Sequence, residues 1–205
     1  MLFRSPVEAL FTGAADAMRR AALAELVQEV QGQDQRQLRV LDLACGTGRF
    51  ITQIMTALPR LGVTGLDLSP PYAAAARRKV AAWPQVEIVE GRAEALPFDD
   101  DSFDHLVSIY LFHELPPRVR PQVLAEAARV LKPGGTLIIA DSLQFGDNPG
   151  VDGFLEYFPE GFHEPYYKGY LNWAFDPHME KLGFVAERME LAFLTKVRVW
   201  RKQEG

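Results

Sequence analysis

The stretch VLDLACGTGRFI, Val40 to Ile51, limits what this chain can fold into more than any other. An apolar-rich run, Leu38–Leu43, ends on two closely spaced glycines, and a helical pattern follows from Gly48 to Leu58. A continuous apolar run reads as a strand buried on both faces. Gly46 and Gly48 can take backbone angles closed to other residues and let the chain approach a ligand closely. The helix beyond them offers free N–H groups and the positive end of its dipole. In open α/β sheets ligands bind beyond the carboxyl ends of the strands, where strand order reverses.

Strand and helix patterns then alternate. Gly62–Asp67, Val86–Val89, Phe103–Ile109 and Thr136–Ala140 read as strands. An alanine-rich helix runs over Pro71–Ala82, and another ends at Leu131 before the stop signal KPGG. The start of that second helix is ambiguous, because Pro116, Pro117 and Pro121 compete for it. Ahead of the first strand, Ser5-Pro6-Val7-Glu8 is a capping box with proline at the first helical position. Apolar residues at helical spacing follow to Val30, and Gly32 ends the helix. Ser142–Tyr170 is rich in glycine, proline and aromatics and has weak periodicity. A helix around Asn172–Leu182 and two strand-like segments close the chain. The alternation predicts an α/β fold: a Rossmann-like, doubly wound, mostly parallel sheet. Residues 1–205 read as one domain, with 1–37 as an N-terminal helix and cap and 142–170 as a lid-like insertion.

Charge and cysteine usage narrow the function classes. The net charge of −5 and the dispersed basic residues speak against a nucleic-acid partner. The tail Lys196–Lys202 alternates charge with Val197, Val199 and Trp200, which reads as a strand with one wet face. No apolar run reaches the roughly 18 residues of a membrane span, and the start lacks a signal-peptide pattern. The single cysteine, Cys45, excludes an internal disulfide and a Cys-rich zinc site, and no metal is expected. These features suit a reducing, cytoplasmic compartment. Monomer and homodimer stay open.

A dinucleotide site would continue G-x-G with a third small residue for close helix–strand packing, and here that position is Ile51. Asp67 ends the second strand, where an acidic side chain can accept both ribose hydroxyls. It can also serve as a helix cap, but Ser69 is at least as good a cap and leaves Asp67 for a ligand. An adenosine ligand without pyrophosphate fits this loop, which points to S-adenosylmethionine (SAM).

VLDLACGTG, VTGLDLS, GRAEALPFDDDSFDHLVSIYLFHEL and ARVLKPGGTLIIAD occur in this order at the expected spacing. Over about Leu38 to Asp141 the chain resembles the class I SAM-dependent methyltransferases. Within them it is most similar to the subgroup of ubiquinone and menaquinone biosynthesis and many small-molecule methyltransferases. The resemblance implies seven strands with a final antiparallel hairpin, and S-adenosylhomocysteine as product. It implies that Asp42, Ala44, Gly46 and Gly48 line the methionine and ribose portion. It further implies that Asp67 holds the ribose hydroxyls, Leu68 packs on the adenine, and Ala93 gives it a backbone N–H. Tyr110 would lie near the methionine end. Many relatives carry an acid or amide just before that alanine. This chain has Arg92, whose side chain cannot accept a hydrogen bond, so Glu94 is the substitute candidate.

The acceptor side is read from residues. His113, just past the fourth strand with Glu114 beside it, is the candidate base, and a structural bond under the next loop is the competing role. His163 and Glu164 in FHEPYY are further candidates. Cys45 reads as a small buried hydrophobe rather than a nucleophile. The aromatics Phe145, Phe154, Tyr157, Phe158, Phe162, Tyr166, Tyr167 and Tyr170 suit a flat or lipophilic acceptor, or else they seal a sheet edge. The first helix is the other candidate wall. Because the cap begins almost at the first residue, a fuller lid is expected to be absent or supplied by a partner chain. The expected function is methyl transfer to C or O of a small aromatic or lipophilic molecule. The rivals are a non-catalytic SAM-binding scaffold and a nicotinamide-dependent oxidoreductase, the latter disfavoured by Ile51 and the lack of a Tyr-x-x-x-Lys pair.

Overall fold

The computed structural model describes residues 14–162 and 164–204. The capping box expected at residues 5–8 and His163 lie outside the described residues. Seven strands form one sheet in the order β3-β2-β1-β4-β5-β7-β6. They are β1 (Arg39–Leu43), β2 (Gly62–Asp67), β3 (Val86–Glu90), β4 (Phe103–Ile109), β5 (Leu131–Ser142), β6 (Phe184–Ala192) and β7 (Thr195–Lys202). The first five pair in parallel, and β7 runs antiparallel to both β5 and β6. The expected architecture, including the closing antiparallel pair, is the one observed. The chain switches direction across the sheet between β1 and β4, so the cleft opens at the carboxyl ends of those strands.

The consecutive apolar residues of the strands divide between two cores. Val40, Val107, Ile138 and Val199 face one side, with α1 (Ala14–Val30), α2 (Arg49–Ala57) and α3 (Pro70–Val80) over them. Leu41, Leu106, Ile139 and Trp200 face the other, under α4 (Arg120–Val130) and α7 (Asp176–Lys181). Two-sided burial is why these strands lack polar alternation. The tail is the strand β7 but has no wet face: it lies between β5 and β6, Lys196 is buried and donates to Gln144 and Asp147, and Arg198, Arg201 and Lys202 pair with Asp176, Glu187 and Asp101.

The structure departs from the sequence reading in three further places. The KPGG turn lies within β5: Leu131 already pairs with Phe103, and the register slips before His105 pairs with Thr136. The disputed helix start falls at Arg120, with Pro121 in the first turn where a missing N–H costs nothing. Arg120 is fully buried and donates to the carbonyls of Phe112, Tyr166 and Gly169, which ties α4 to two other segments. Finally, 142–170 is not an irregular loop. It forms α5 (Asp152–Phe162) and begins α6 (Tyr167–Leu171), while the helix expected over Asn172–Leu182 shrinks to α7. Pro159 inside α5 and its glycines lower intrinsic helix propensity, and packing of Leu155, Tyr167 and Leu171 on Leu143 compensates. Among the described residues no helix is long and apolar enough to cross a membrane.

Ile51, which stands where a third glycine was sought, is fully buried against β2. A Cβ on Gly65 would come within 2.7 Å of its Cδ1, 2.9 Å of the Cys45 sulfur and 2.9 Å of Ile88 Cδ1. The small residue needed for close helix–strand packing has moved from the helix to the strand. Gly65→Ala is therefore expected to lower stability by about 1–3 kcal/mol through overpacking. Chemical denaturation checks this, and unchanged stability would show that the layer can yield.

Candidate active site

A cavity of about 780 Å³ opens at the switch point, within the range of small-molecule sites. Its floor is the β1–α2 loop and the end of β2. Asp42, Ala44, Gly46, Asp67, Leu68, Glu94 and Tyr110, all expected there, line it together with Cys45. Gly48 and Ala93 do not. Gly48 has a positive φ of 73°, and its missing Cβ would stand 3.2 Å from that of Ala76, so its role is to let the loop sit close on α3. Ala93 packs against the α4-side core instead. Gly46, with φ of 55°, has no atom within 4 Å of where a Cβ would be and so leaves its backbone open to a ligand.

Two acids define the electrostatics. Asp67 is not left free by Ser69, whose side chain makes no capping bond. The Asp67 carboxylate instead accepts from the backbone N–H of Gly46 at 2.7 Å and of Ser69 at 2.8 Å. Each oxygen keeps a further lone pair, enough to receive a hydroxyl. Asp42 is 2% exposed, and its Oδ2 has no hydrogen-bond partner. Burial, and then the charge of Asp67, push its pKa up to about 7, against a smaller opposing effect of Arg19. A buried, unpaired carboxylate aimed at a cleft calls for a cationic ligand. Glu94 is already bonded to the Arg92 guanidinium at 2.6 Å, so the substitution seen in the sequence has produced an ion pair at the rim. Burial raises the Cys45 thiol well above its usual range, which keeps it protonated and inert.

The sequence reading missed Arg19 and Arg49. Both line the cavity, and Asp16 of α1 accepts from each of them. Arg49 lies in the opening stretch and Arg19 in no motif, and what neither reveals in the sequence is the ion pair with Asp16 that sets both on the cavity wall. The cradle thus combines an ion-paired arginine wall, the two acids Asp42 and Asp67, and an apolar ledge at Leu68, which is 70% exposed. These are complementary to the groups of SAM.

A second, tighter cavity adjoins the first. Tyr110 belongs to both, and Met18, His113, Ser142, Leu155, Phe158, Tyr167 and Leu194 complete much of its wall. Tyr110 holds a positive φ of 56°, a strained position for a residue with a side chain. Its hydroxyl hydrogen-bonds Thr195 at 2.5 Å and donates to the Met18 sulfur at 3.0 Å. Burial pushes its pKa up to about 12, so the phenol stays neutral. His113 is 5% exposed, at the centre of a 3-10 turn over Phe112–Glu114. The aromatics of 142–170 divide: Phe158, Tyr167 and Tyr170 turn inward, whereas Tyr157 is 72% exposed. Although no metal was expected, His113, Glu114 and Glu164 bring three potential ligand atoms within 4.8 Å of one another.

Comparison with known proteins agrees with this geometry. Residues 40–135 match the family model described as a methyltransferase domain. A demethylmenaquinone methyltransferase of Lysinibacillus sphaericus is 30% identical over 77% of this chain and 71% of its own length. The phthiotriol/phenolphthiotriol dimycocerosates methyltransferase of Mycobacterium leprae is 41% identical over 50% of this chain and 37% of its own. For the demethylmenaquinone methyltransferase of Chlorobaculum tepidum the identity is 41%, over 55% and 44%. The chain therefore spans less than half the length of these last two relatives. The YcgJ protein of Bacillus subtilis superimposes with a TM-score of 0.71 at 17% identity, covering 91% of this chain and all of its own. A SAM-dependent methyltransferase of Methanosarcina mazei gives 0.65 at 19%, covering 88% and 98%.

Fold and cradle together define a SAM-dependent methyltransferase. The chain belongs to the class I family of these enzymes and resembles its quinone-biosynthesis group. The nicotinamide oxidoreductase reading is thereby set aside.

Asp42 supplies the first functional test. Because its folded pKa is raised, ionising it costs stability as pH climbs from about 4 to about 7. Binding a cation needs the ionised form. SAM affinity measured by calorimetry should rise between about pH 5.5 and 7.5, by up to roughly tenfold per unit below 7. Asp42→Asn should flatten that dependence, weaken binding and raise Tm at about pH 8. PH-independent binding by the wild type would contradict the assignment.

Proposed function

We propose that this enzyme transfers the SAM methyl group to C or O of a small aromatic or lipophilic acceptor held in the second cavity. The observation that supports this reading is the lining of that cavity, Phe158, Leu155, Leu194 and Met18 with polar groups at Tyr110, His113, Ser142 and Tyr167; its volume is about 40 Å³, so an acceptor enters only as this wall moves apart. Apolar walls with a few placed polar groups suit such molecules. The printed names of the relatives, demethylmenaquinone and phthiotriol dimycocerosates methyltransferases, agree with it. The segment 142–170 then acts as the acceptor wall and lid, α1 as the facing wall, and 1–205 works as one unit. A nucleic acid is not the partner, since the basic tail is engaged in ion pairs. A reducing cytoplasm suits the lone buried thiol.

Bound SAM supplies a methyl group already activated on a cationic sulfur. The chain's own residues hold the cofactor's polar groups, orient the acceptor and exclude water, which accounts for much of the expected acceleration. Asp42 and Asp67 would hold the ammonium and ribose groups, and Leu68 the adenine. His113 takes the acceptor proton where one must be lost.

A panel of phenols, quinols and fatty acids, assayed for S-adenosylhomocysteine release, tests the acceptor class. Turnover is expected with aromatic hydroxyl compounds. His113→Ala should lower kcat by about 10²–10⁴-fold while leaving SAM affinity near wild type. Release that no member of the panel accelerates would argue for a SAM-binding scaffold. A wild-type rate in the variant would make His113 structural.

A further inference from the structure

Asp141 sits near the carboxyl end of β5, 1% exposed, directly behind the turn that carries His113. Its carboxylate gathers three N–H donors. Oδ1 lies 2.5 Å from His113 Nδ1 and accepts from the Ser142 N–H at 2.7 Å, and Oδ2 accepts from the Phe112 N–H at 2.8 Å. The two backbone bonds fix the carboxylate, so the ring must adapt to it. An ionised carboxylate only accepts, so the network assigns the neutral-ring proton to Nδ1 and leaves the lone pair on Nε2.

On the Nε2 side Glu114 Oε1 lies at 4.0 Å, and a Glu164 oxygen lies within 4.8 Å of the group. Among the described residues no Lys or Arg pairs with Glu114, Glu164 or Asp141. Arg120 faces Asp141 from α4, and three of its five N–H donors are bonded to carbonyls. Tyr110, Tyr167 and Tyr170 enclose the imidazole edge to face, with centroids 6.2, 5.7 and 6.1 Å away. The ring is thus held in one orientation, bonded on one nitrogen and open on the other.

We propose that Asp141 is a positioning residue for methyl transfer: it directs the His113 Nε2 lone pair at the acceptor and stabilises the imidazolium formed there. Glu114 and Glu164 then carry the proton toward solvent. This rests on the reading of His113 as proton acceptor. In each turnover the acceptor exchanges one hydrogen for the methyl carbon. Its X–H bond breaks, the released pair forms the bond to carbon, and the sulfonium charge is discharged. One proton remains, and Nε2 takes it. Burial alone disfavours a charged His113. The charge and hydrogen bond of Asp141, then Glu114 and Glu164, outweigh that burial and hold its pKa above the ordinary 6.5. The arrangement follows the orienter–base logic of hydrolytic triads, in which the acid sets the tautomer and does not itself take the proton.

The test is nitrogen NMR of the imidazoles in the cofactor-free protein, paired with pH–rate profiles. In the wild type His113 should titrate above the ordinary histidine value, with the proton of the neutral ring on Nδ1. Asp141→Asn should lower that midpoint and move the neutral proton to Nε2. It should also cut kcat by about 10²–10⁴-fold with SAM affinity and acceptor KM held within a few-fold. The apparent pKa of kcat/KM should fall with the NMR midpoint. If Asp141→Asn does not fold, Glu114→Gln gives a second reading: a smaller drop of the same midpoint and a few-fold loss of kcat. An unchanged tautomer and midpoint in Asp141→Asn, or a wild-type His113 midpoint below 6.5, overturns the proposal. An altered ring in Asp141→Asn combined with full activity in His113→Ala overturns the base reading alone and leaves the contact standing. Activity that requires a divalent cation and disappears on chelation overturns it in favour of a metal held by His113, Glu114 and Glu164.

Discussion

Two carboxylates at the ends of adjacent parallel strands, Asp42 and Asp67, face one cleft, and much of the site is arranged around them. Asp67 is anchored by the N–H groups of Gly46 and Ser69 and so stitches the β1–α2 loop to the β2–α3 junction. Asp42 has no such anchor and keeps an unpaired oxygen under full burial. Keeping a carboxylate unpaired in a low-dielectric site costs stability, as buried charge generally does. Cationic charge from a ligand offsets that cost. The cleft therefore suits a molecule that brings a ribose and a positive charge together.

The order of the sheet turns that binding selectivity into a place for chemistry. β4 lies next to β1, so the residues that follow β4 stand beside the cradle. Tyr110, in its strained conformation, forms the shared wall, and His113 follows one turn later with its ring fixed from β5. Arg120 secures the same turn from the far side by bonding carbonyls of the turn and of the segment around α6. One buried guanidinium thus joins the wall of the second cavity to the turn that carries His113. Tyr110 and Cys45 stay neutral, so the titrating groups nearest the shared wall are His113, in the second cavity, and Glu114, in the first.

Much of the fold was legible because apolar-rich strands alternate with helical patterns and turn signals: β2 and β4 were read with the bounds observed. Asp42, Gly46 and Asp67 were legible because a strand–glycine–helix junction admits few chemistries. What escaped has a common cause, namely tertiary contact overriding local signal. Gly48 looked like a ligand-facing glycine and instead meets Ala76. The space saved by a third glycine in dinucleotide folds is supplied here by Gly65 across the layer. The α5 helix was hidden by Pro159 and its glycines, and it forms because its apolar side packs on Leu143. Arg19 carries no motif, and Asp141, though it closes the motif ARVLKPGGTLIIAD, shows its contact with His113 only once the sheet sets β5 beside β4.

The central claim is that one cradle, built on Asp42 and Asp67, delivers a methyl group to one adjoining cavity headed by His113. The most direct measurement is a crystal structure of the protein with bound S-adenosylhomocysteine. The ribose hydroxyls are expected on Asp67, the adenine on Leu68, and the sulfur directed past Tyr110 toward the cavity of His113, Phe158 and Tyr167. A ribose held elsewhere, or a sulfur pointing away from that cavity, would contradict the account.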